Sequence, residues 1–297
     1  MLPESVLKAR KLLTPCRLCP RFCGALRRSG QKGFCGVADK LRVASAGAHF
    51  GEESVLTGKG GSGTIFLGGC NLRCVYCQNY RISSGRTLAE MPPAQLAQIM
   101  IELQRARVSN INLVTPTHVA PMLLEAIVLA RRLGLKVPVV YNCGGYESVE
   151  MLVLLEGYVD IYLPDFKYGS AQVAAKYSQA PDYPEKAELA LAEMFRQVGP
   201  LRVGASGLAC SGVLVRHLVL PLDLACSQQV VDTVARVAPG TAINIMGQYR
   251  PCHQACAYPE LLLMPESAEL ERLRNYAQEQ GLIQVNGQRN SLQRISG

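Results

Sequence analysis

The sequence predicts an α/β fold organised on a parallel sheet. Six short apolar runs, several of them β-branched, recur at Thr64–Leu67, Asn110–Val114, Val137–Tyr141, Val159–Leu163, Val213–Leu220 and Ala242–Met246, and runs of this length suit buried strands. Segments with helical spacing lie between them, and strands that alternate with helices pair in parallel. The chain has 297 residues and is 48% hydrophobic, enough for one large core, since barrel domains run to about 250 residues.

The helices follow from their own spacing and stops. Pro93–Val108 puts Leu96, Ile99, Met100 and Leu103 on one face, and Pro121–Leu133 begins on a first-turn proline and stops before Gly134. Glu147–Leu155, Glu185–Val198 and Ser227–Ala238 carry similar patterns, and Glu266–Gln280 ends at Gly281. Residues Leu41–Gly63, with His49, Glu52 and Glu53, read as a connector. Its run GKGGSG at Gly58–Gly63 does not fit the G-x-x-x-x-G-K-[ST] phosphate loop and leads into a strand. It is expected to be a flexible turn that brings backbone close to a cofactor. There is no internal repeat or low-complexity tract.

Net charge is +8. The basic residues are dispersed apart from Arg27–Arg28 and Arg131–Arg132, without the dense stripe of a nucleic-acid binder, so no nucleic-acid partner is expected, whereas an acidic protein or substrate suits the charge. No apolar run approaches the roughly 20 residues of a membrane span, and the N-terminus lacks a signal-peptide core. A cytoplasmic location is expected, and in that reducing compartment the chain's 12 cysteines point to metal rather than disulfides.

Cys70, Cys74 and Cys77 stand as C-x3-C-x2-C directly after the first strand and Gly68–Gly69. Iron–sulfur cubanes normally take four thiolates, so three on one loop leave an iron with an open position, the mark of a reactive rather than a structural site. A zinc loop or three buried thiols is the alternative. Cys16, Cys19, Cys23 and Cys35 form a second set, C-x2-C-x3-C-x11-C. Four thiolates suit zinc, an iron site or a second cluster in a closed, structural shell, with four free thiols as the alternative. Cys143 reads as an inert small hydrophobe. Cys252, His253 and Cys256 offer only three ligands, and no metal is expected there.

The cysteine loop, with Tyr76 just before its third cysteine, resembles the signature of radical S-adenosylmethionine (SAM) enzymes. The resemblance implies a [4Fe–4S] cluster whose free iron binds SAM, reductive cleavage to a 5′-deoxyadenosyl radical, a low-potential donor such as flavodoxin or ferredoxin, and six strands closing partway into a (β/α)6 barrel. The division expected is a cysteine-rich metal-binding segment over 1–50, the partial barrel over 51–260 and a helical extension over 261–297.

In such folds the site gathers at the C-terminal ends of the strands. Thr115, Thr117 and His118 follow the second strand; many of the resembling enzymes carry Gly-Gly-Glu there, which this chain lacks, so the three are candidates for cofactor binding by position only. Asn142 follows the third strand and could bond a ribose hydroxyl or substrate. Asp165 and Lys167 follow the fourth and share a face; they resemble the D-x-K motif of enzymes similar to the pyruvate formate-lyase activating enzyme, where the pair lies in the SAM and substrate site. An ordinary ion pair is the alternative. In the fifth strand Arg216 matches an arginine that contacts the SAM carboxylate in activating enzymes, a task that suits its bidentate fork, and His217 is a weaker candidate. Met246 and Gln248 end the sixth and could pack on adenine, or simply on the core. Together CRLCPRFCG, NLVTPTH, IYLPDFKY, VRHLVLP and NIMGQY resemble the activating-enzyme-like branch. The implied activity is a radical SAM oxidoreductase that takes hydrogen from a glycine of a partner enzyme; a small molecule or peptide as substrate, and a non-catalytic iron–sulfur or zinc protein, are the alternatives.

Overall fold

A computed structural model describes residues 1–84 and 88–285. In chain order, α1 (Glu4–Lys11) precedes the four-cysteine segment, and β1 (Leu41–His49) and α2 (Ser54–Thr57) follow it. Then come β2 (Ser62–Leu67), α3 (Tyr80–Ser83), β3 (Glu90–Met91), α4 (Pro93–Arg105), β4 (Ile111–Val114), α5 (Ala120–Arg132) and β5 (Val139–Cys143). The second half has α6 (Val149–Leu154), β6 (Ile161–Pro164), α7 (Ala171–Ser178), α8 (Tyr183–Val198), β7 (Arg202–Val203), β8 (Ala209–Leu218), α9 (Ser227–Val237), β9 (Ala242–Met246), α10 (Ser267–Glu279) and β10 (Ile283–Gln284).

The predicted six strands pair in parallel and in sequence order, β2-β4-β5-β6-β8-β9, with β10 added in parallel beyond β9. The fold is therefore mixed α/β with a parallel-dominated sheet. At the other edge β1 pairs antiparallel with β2, and β3 antiparallel with β1, so the hydrogen-bonded path is open from β10 to β3. The residues that follow Val285 lie outside the described part of the expected C-terminal extension.

Alternation divides the sheet's residues between two faces. Ile65, Leu67, Ile111, Leu113, Tyr141, Val213, Val215, Ile243 and Ile245 pack with the helices in the main core, which also takes in Val6, Leu12, Leu13, Leu18 and Val37 from the N-terminal segment. The other face carries a small apolar set, including Val140, Ile161, Leu163 and Leu214, among buried polar residues such as Thr64, Asn112, Asn142 and Asn244.

Several expectations are corrected. The connector at Leu41–Gly63 holds the nine-residue β1; its sequence LRVASAGAH is too poor in β-branched and aromatic residues to read as a strand. The helices α1 and α7 also stand where none was predicted. Pairing in β5 starts at Val139, because Pro138 has no N–H to give the ladder, and this places Asn142 and Cys143 inside the strand. The glycine run does bring backbones together, but the chain it meets is its own: a Cβ on Gly60 would lie 2.0 Å from the Arg107 carbonyl oxygen. Among the described residues no helix is long and apolar enough to cross a membrane.

Gly60→Ala therefore forces backbone apart. It is expected to lower unfolding free energy by roughly 1–3 kcal/mol in urea titration. Gly47→Ala, where an added Cβ meets nothing within 4 Å, is expected to stay within about 0.5 kcal/mol of the parent.

Candidate active site

β2 delivers the chain to Gly68 and Gly69. Gly69 has φ +96°, and a Cβ there would lie 2.6 Å from Val37 Cγ2, 2.8 Å from the Cys35 carbonyl oxygen and 2.9 Å from His118 Nε2. The three-cysteine loop is thus pressed against the four-cysteine segment from its first residue. Arg21, from that segment, donates Nε to the Asn71 carbonyl at 2.8 Å, Nη2 to the Ser178 carbonyl at 3.1 Å, and Nη1 to the Gln179 carbonyl. The end of α7 holds the loop from another side, accepting Arg73 N at Ser178 O (3.3 Å) and Val75 N at Tyr177 O (2.9 Å).

The three thiols are half-buried. Cys70 Sγ accepts the Leu72 N–H at 3.4 Å, Cys74 Sγ accepts the Ser178 hydroxyl at 2.9 Å, and Cys77 Sγ lies 3.7 Å from Ser83 Oγ. Burial pushes Cys70 up to about 12, helped by the neighbouring Cys74. Burial also raises Cys74, although Lys167 opposes it. Thiols so desolvated keep their protons unless a cation replaces them, and a metal centre does so outright. Cys70 and Cys74 in this state, with Cys77 on the same loop, are the donor chemistry that an iron–sulfur cluster takes.

The predicted D-x-K pair lies beside this loop. Lys167 Nζ donates to Asp165 Oδ2 at 2.5 Å. Burial alone would depress the lysine, but the Asp165 carboxylate and the Cys74 thiol hold it well above its usual value. A Cβ on Gly144 would sit 3.1 Å from Leu72 Cδ1 and 3.8 Å from Lys167 Cε, so Lys167, the β5 end and the cysteine loop converge. Gly145, with φ +77°, lets the Asp165 backbone close in: a Cβ would lie 2.2 Å from its carbonyl oxygen.

The other predicted residues divide by face. Thr115 is half-buried at the end of β4. Thr117 donates to Glu147 Oε1 at 2.5 Å, and His118 donates Nε2–H to the Gly68 carbonyl at 2.7 Å, so both are engaged with protein groups. Burial holds His118 down to about 4, hence neutral. Cys143 is buried and hydrogen-bonded to Glu147. Asn142 is buried on the opposite face, Met246 is half-buried at the end of β9, and Gln248 is exposed, its carbonyl accepting Gln78 Nε2 at 3.4 Å. His217 faces the helices, donating Nδ1–H to Phe166 O (2.7 Å) and accepting from Ser227 Oγ (2.9 Å).

Arg216 points away from the helices, where its guanidinium meets two carboxylates. Nε donates to Glu53 Oε1 at 2.8 Å, Nη2 to Glu53 Oε2 at 2.5 Å, and Nη2 also to Glu52 Oε2. Asn244 Nδ2 adds a bond to Glu53 (2.7 Å) and Asn112 Nδ2 one to Glu52 (3.0 Å). Burial opposes ionisation of Glu53, yet Arg216 holds its carboxyl below the usual range. The sequence reading passed over these glutamates as connector residues. The available signal was the interior arginine, which needs a buried counter-charge. Arg21 and Ser178 were also missed, having no spacing that marks them.

In the four-cysteine segment Cys16, Cys19 and Cys35 are buried and Cys23 is exposed. The free thiols of Cys23 and Cys16 are hydrogen-bonded to each other, and a Cβ on Gly33 would lie 3.2 Å from Cys23 Sγ and 3.5 Å from Cys35 Sγ. Burial pushes Cys19 up to about 12. Among the described residues, no group of three or more His, Cys, Asp or Glu side chains is arranged as a metal site; in the three-cysteine loop each thiol is turned to a separate partner. Cys252 also lies against that loop, its thiol donating to the Tyr76 carbonyl at 3.1 Å, while His253 stacks on Tyr80.

Known proteins resemble this chain over the same stretch. The family described as the Radical SAM superfamily matches residues 64–200. The uncharacterized protein MJ0674 of Methanocaldococcus jannaschii is 30% identical over 284 residues, covering 92% of this chain and 77% of that protein. A second protein of that organism, MJ0808, is 26% identical over 182 residues, 56% of this chain and 52% of its own. A radical SAM methyltransferase from Sphaerobacter thermophilus aligns with a TM-score of 0.53 at 12% identity, over 75% of this chain and 65% of that one, a likeness of fold alone.

Burial raises Glu147 from 4.5 to about 7. The folded state thus favours the protonated acid. Its contribution to stability is complete below pH about 4.5 and is lost as pH rises through about 7. Glu147→Gln, which mimics the acid, is expected to remove this slope and to exceed the parent by roughly 3 kcal/mol at pH 8, measured by urea unfolding at pH 5 and pH 8.

Proposed function

This chain belongs to the radical SAM superfamily, and from that premise we propose that it is a SAM-cleaving enzyme whose [4Fe–4S] cluster is held by Cys70, Cys74 and Cys77. The observation that carries the reading is a loop of three half-buried thiols whose nearby candidates for a fourth ligand are spent elsewhere. His118 bonds Gly68, Cys143 bonds Glu147, and Cys252 bonds the Tyr76 carbonyl. The chemistry that a bound cluster supplies is one-electron cleavage of SAM to methionine and a 5′-deoxyadenosyl radical, which takes a hydrogen atom from substrate.

The chain's residues hold and orient around that centre. Lys167, kept charged by Asp165 beside the cysteine loop, is the proposed partner for an anionic group of SAM or substrate. Thr115, Asn142, Met246 and Gln248, near the ends of their strands, are the proposed contacts to the rest of SAM. Thr117 and His118 act one step back, fixing Glu147 and Gly68. Arg216, its fork taken by Glu52 and Glu53, orders the floor of this face. A flavodoxin or ferredoxin is the proposed electron source, and net charge of +8 favours such acidic partners.

For the substrate we propose a glycine of a partner protein, supported by the D-x-K pair. Deuterium placed on Cα of the glycine in a pyruvate formate-lyase loop peptide would then appear in 5′-deoxyadenosine; its absence, with turnover on another compound, would favour a small-molecule substrate. A second metal, zinc or iron, is proposed at Cys16, Cys19, Cys23 and Cys35. Changing Cys16 and Cys19 together to Ser is expected to remove one equivalent of metal by elemental analysis.

The primary test is anaerobic. Protein reconstituted with iron and sulfide and supplied with dithionite and SAM is expected to form 5′-deoxyadenosine, quantified by mass spectrometry. Cys74→Ala should abolish the product. Lys167→Ala should lower the rate at least tenfold, about 1.4 kcal/mol in activation free energy, with cluster content unchanged. A full, reducible cluster that yields no product with SAM, alone or with the peptide, would point instead to an iron–sulfur binding protein.

A further inference from the structure

We propose that Tyr76, Tyr168 and Ser178 form a one-way chain of hydroxyls that ends on the Cys74 sulfur and sets the reduction potential of the cluster held there. The proposal rests on the cluster assignment made above. Ser178 Oγ lies 2.9 Å from Cys74 Sγ, Tyr168 Oη lies 2.6 Å from Ser178 Oγ, and Tyr76 Oη lies 2.5 Å from Tyr168 Oη. Each hydroxyl has a single proton to give. A ligating sulfur has none, so Ser178 must donate to it. Tyr168 must then donate to Ser178, and Tyr76 to Tyr168. Every proton in the chain points toward Cys74.

Such an array stabilises negative charge at its end. Ser178 and Tyr168 are fully buried and Tyr76 nearly so, and without water to screen them the aligned dipoles polarise one another. One-electron reduction adds a negative charge to the cluster and its thiolates. The chain therefore favours the reduced form and raises the potential, as hydrogen bonds to cluster sulfurs do. Ser178 suits a clean deletion, because its bonds to Arg73 N and Arg21 Nη2 use the main-chain carbonyl and survive removal of the hydroxyl. Tyr168 directly follows Lys167, so the element that positions the D-x-K pair also carries the middle of the chain.

The test is a redox titration of the reconstituted protein followed by electron paramagnetic resonance, with iron and sulfide quantified in each sample. At the potential that half-reduces the parent, Ser178→Ala is expected to show a reduced-to-oxidised ratio roughly tenfold lower, about 59 mV for one electron. Tyr168→Phe leaves Ser178 able to donate and is expected to shift the ratio in the same direction by roughly threefold. A fully loaded Ser178→Ala protein that titrates with the parent overturns the proposal. If Ser178→Ala does not load, the Tyr168→Phe titration decides by the same criterion. Parent protein that takes up no four-iron cluster overturns the cluster assignment itself, and the proposal with it.

Discussion

Arg216 leaves β8 on the face turned away from the helices, where a lone guanidinium would cost several kcal/mol in lost hydration. Glu52 and Glu53 meet it from the turn between β1 and α2, Asn244 braces Glu53 from β9, and Asn112 braces Glu52 from β4. This network joins strands from both ends of the parallel array. The guanidinium thus sits between two glutamate side chains, each also held by an asparagine amide. The strands whose ends carry Thr115 and Gln248 are tied together beneath that rim.

The cysteine loop is held from separate directions by unlike means. Arg21 grips carbonyls on both the loop and the end of α7, His118 pins Gly68, and the four-cysteine segment fills the space beside Gly69. None of these contacts uses a thiol, so the cysteines remain available for ligation. The same economy appears at Ser178, whose carbonyl holds the loop while its hydroxyl serves the sulfur.

The parallel order of six strands was legible because buried strands leave short apolar runs and their helices a distinct period. The positions of Cys70, Cys74, Cys77, Asp165 and Lys167 could be read as well, since fixed local spacing survives in a linear text. What could not be read was pairing between distant residues. Glu52 and Glu53 look solvated until Arg216 is known to point at them. Ser178 is an ordinary helix-end serine until Cys74 lies 2.9 Å away. β1 escaped because its small residues form a strand only by covering the edge of β2. Thr117 and His118 lie near the strand ends, as expected, but bond to Glu147 and Gly68, a choice that spacing does not encode.

The tight seat between Gly69 and the stretch at Cys35–Val37 gives the protein a direction of assembly. The early segment is synthesised first, yet the surface it rests on belongs to a loop made more than thirty residues later. Each side packs on the other: a Cβ at Gly69 would lie 2.8 Å from the Cys35 carbonyl oxygen. A side chain larger than hydrogen at that one position would part the two segments.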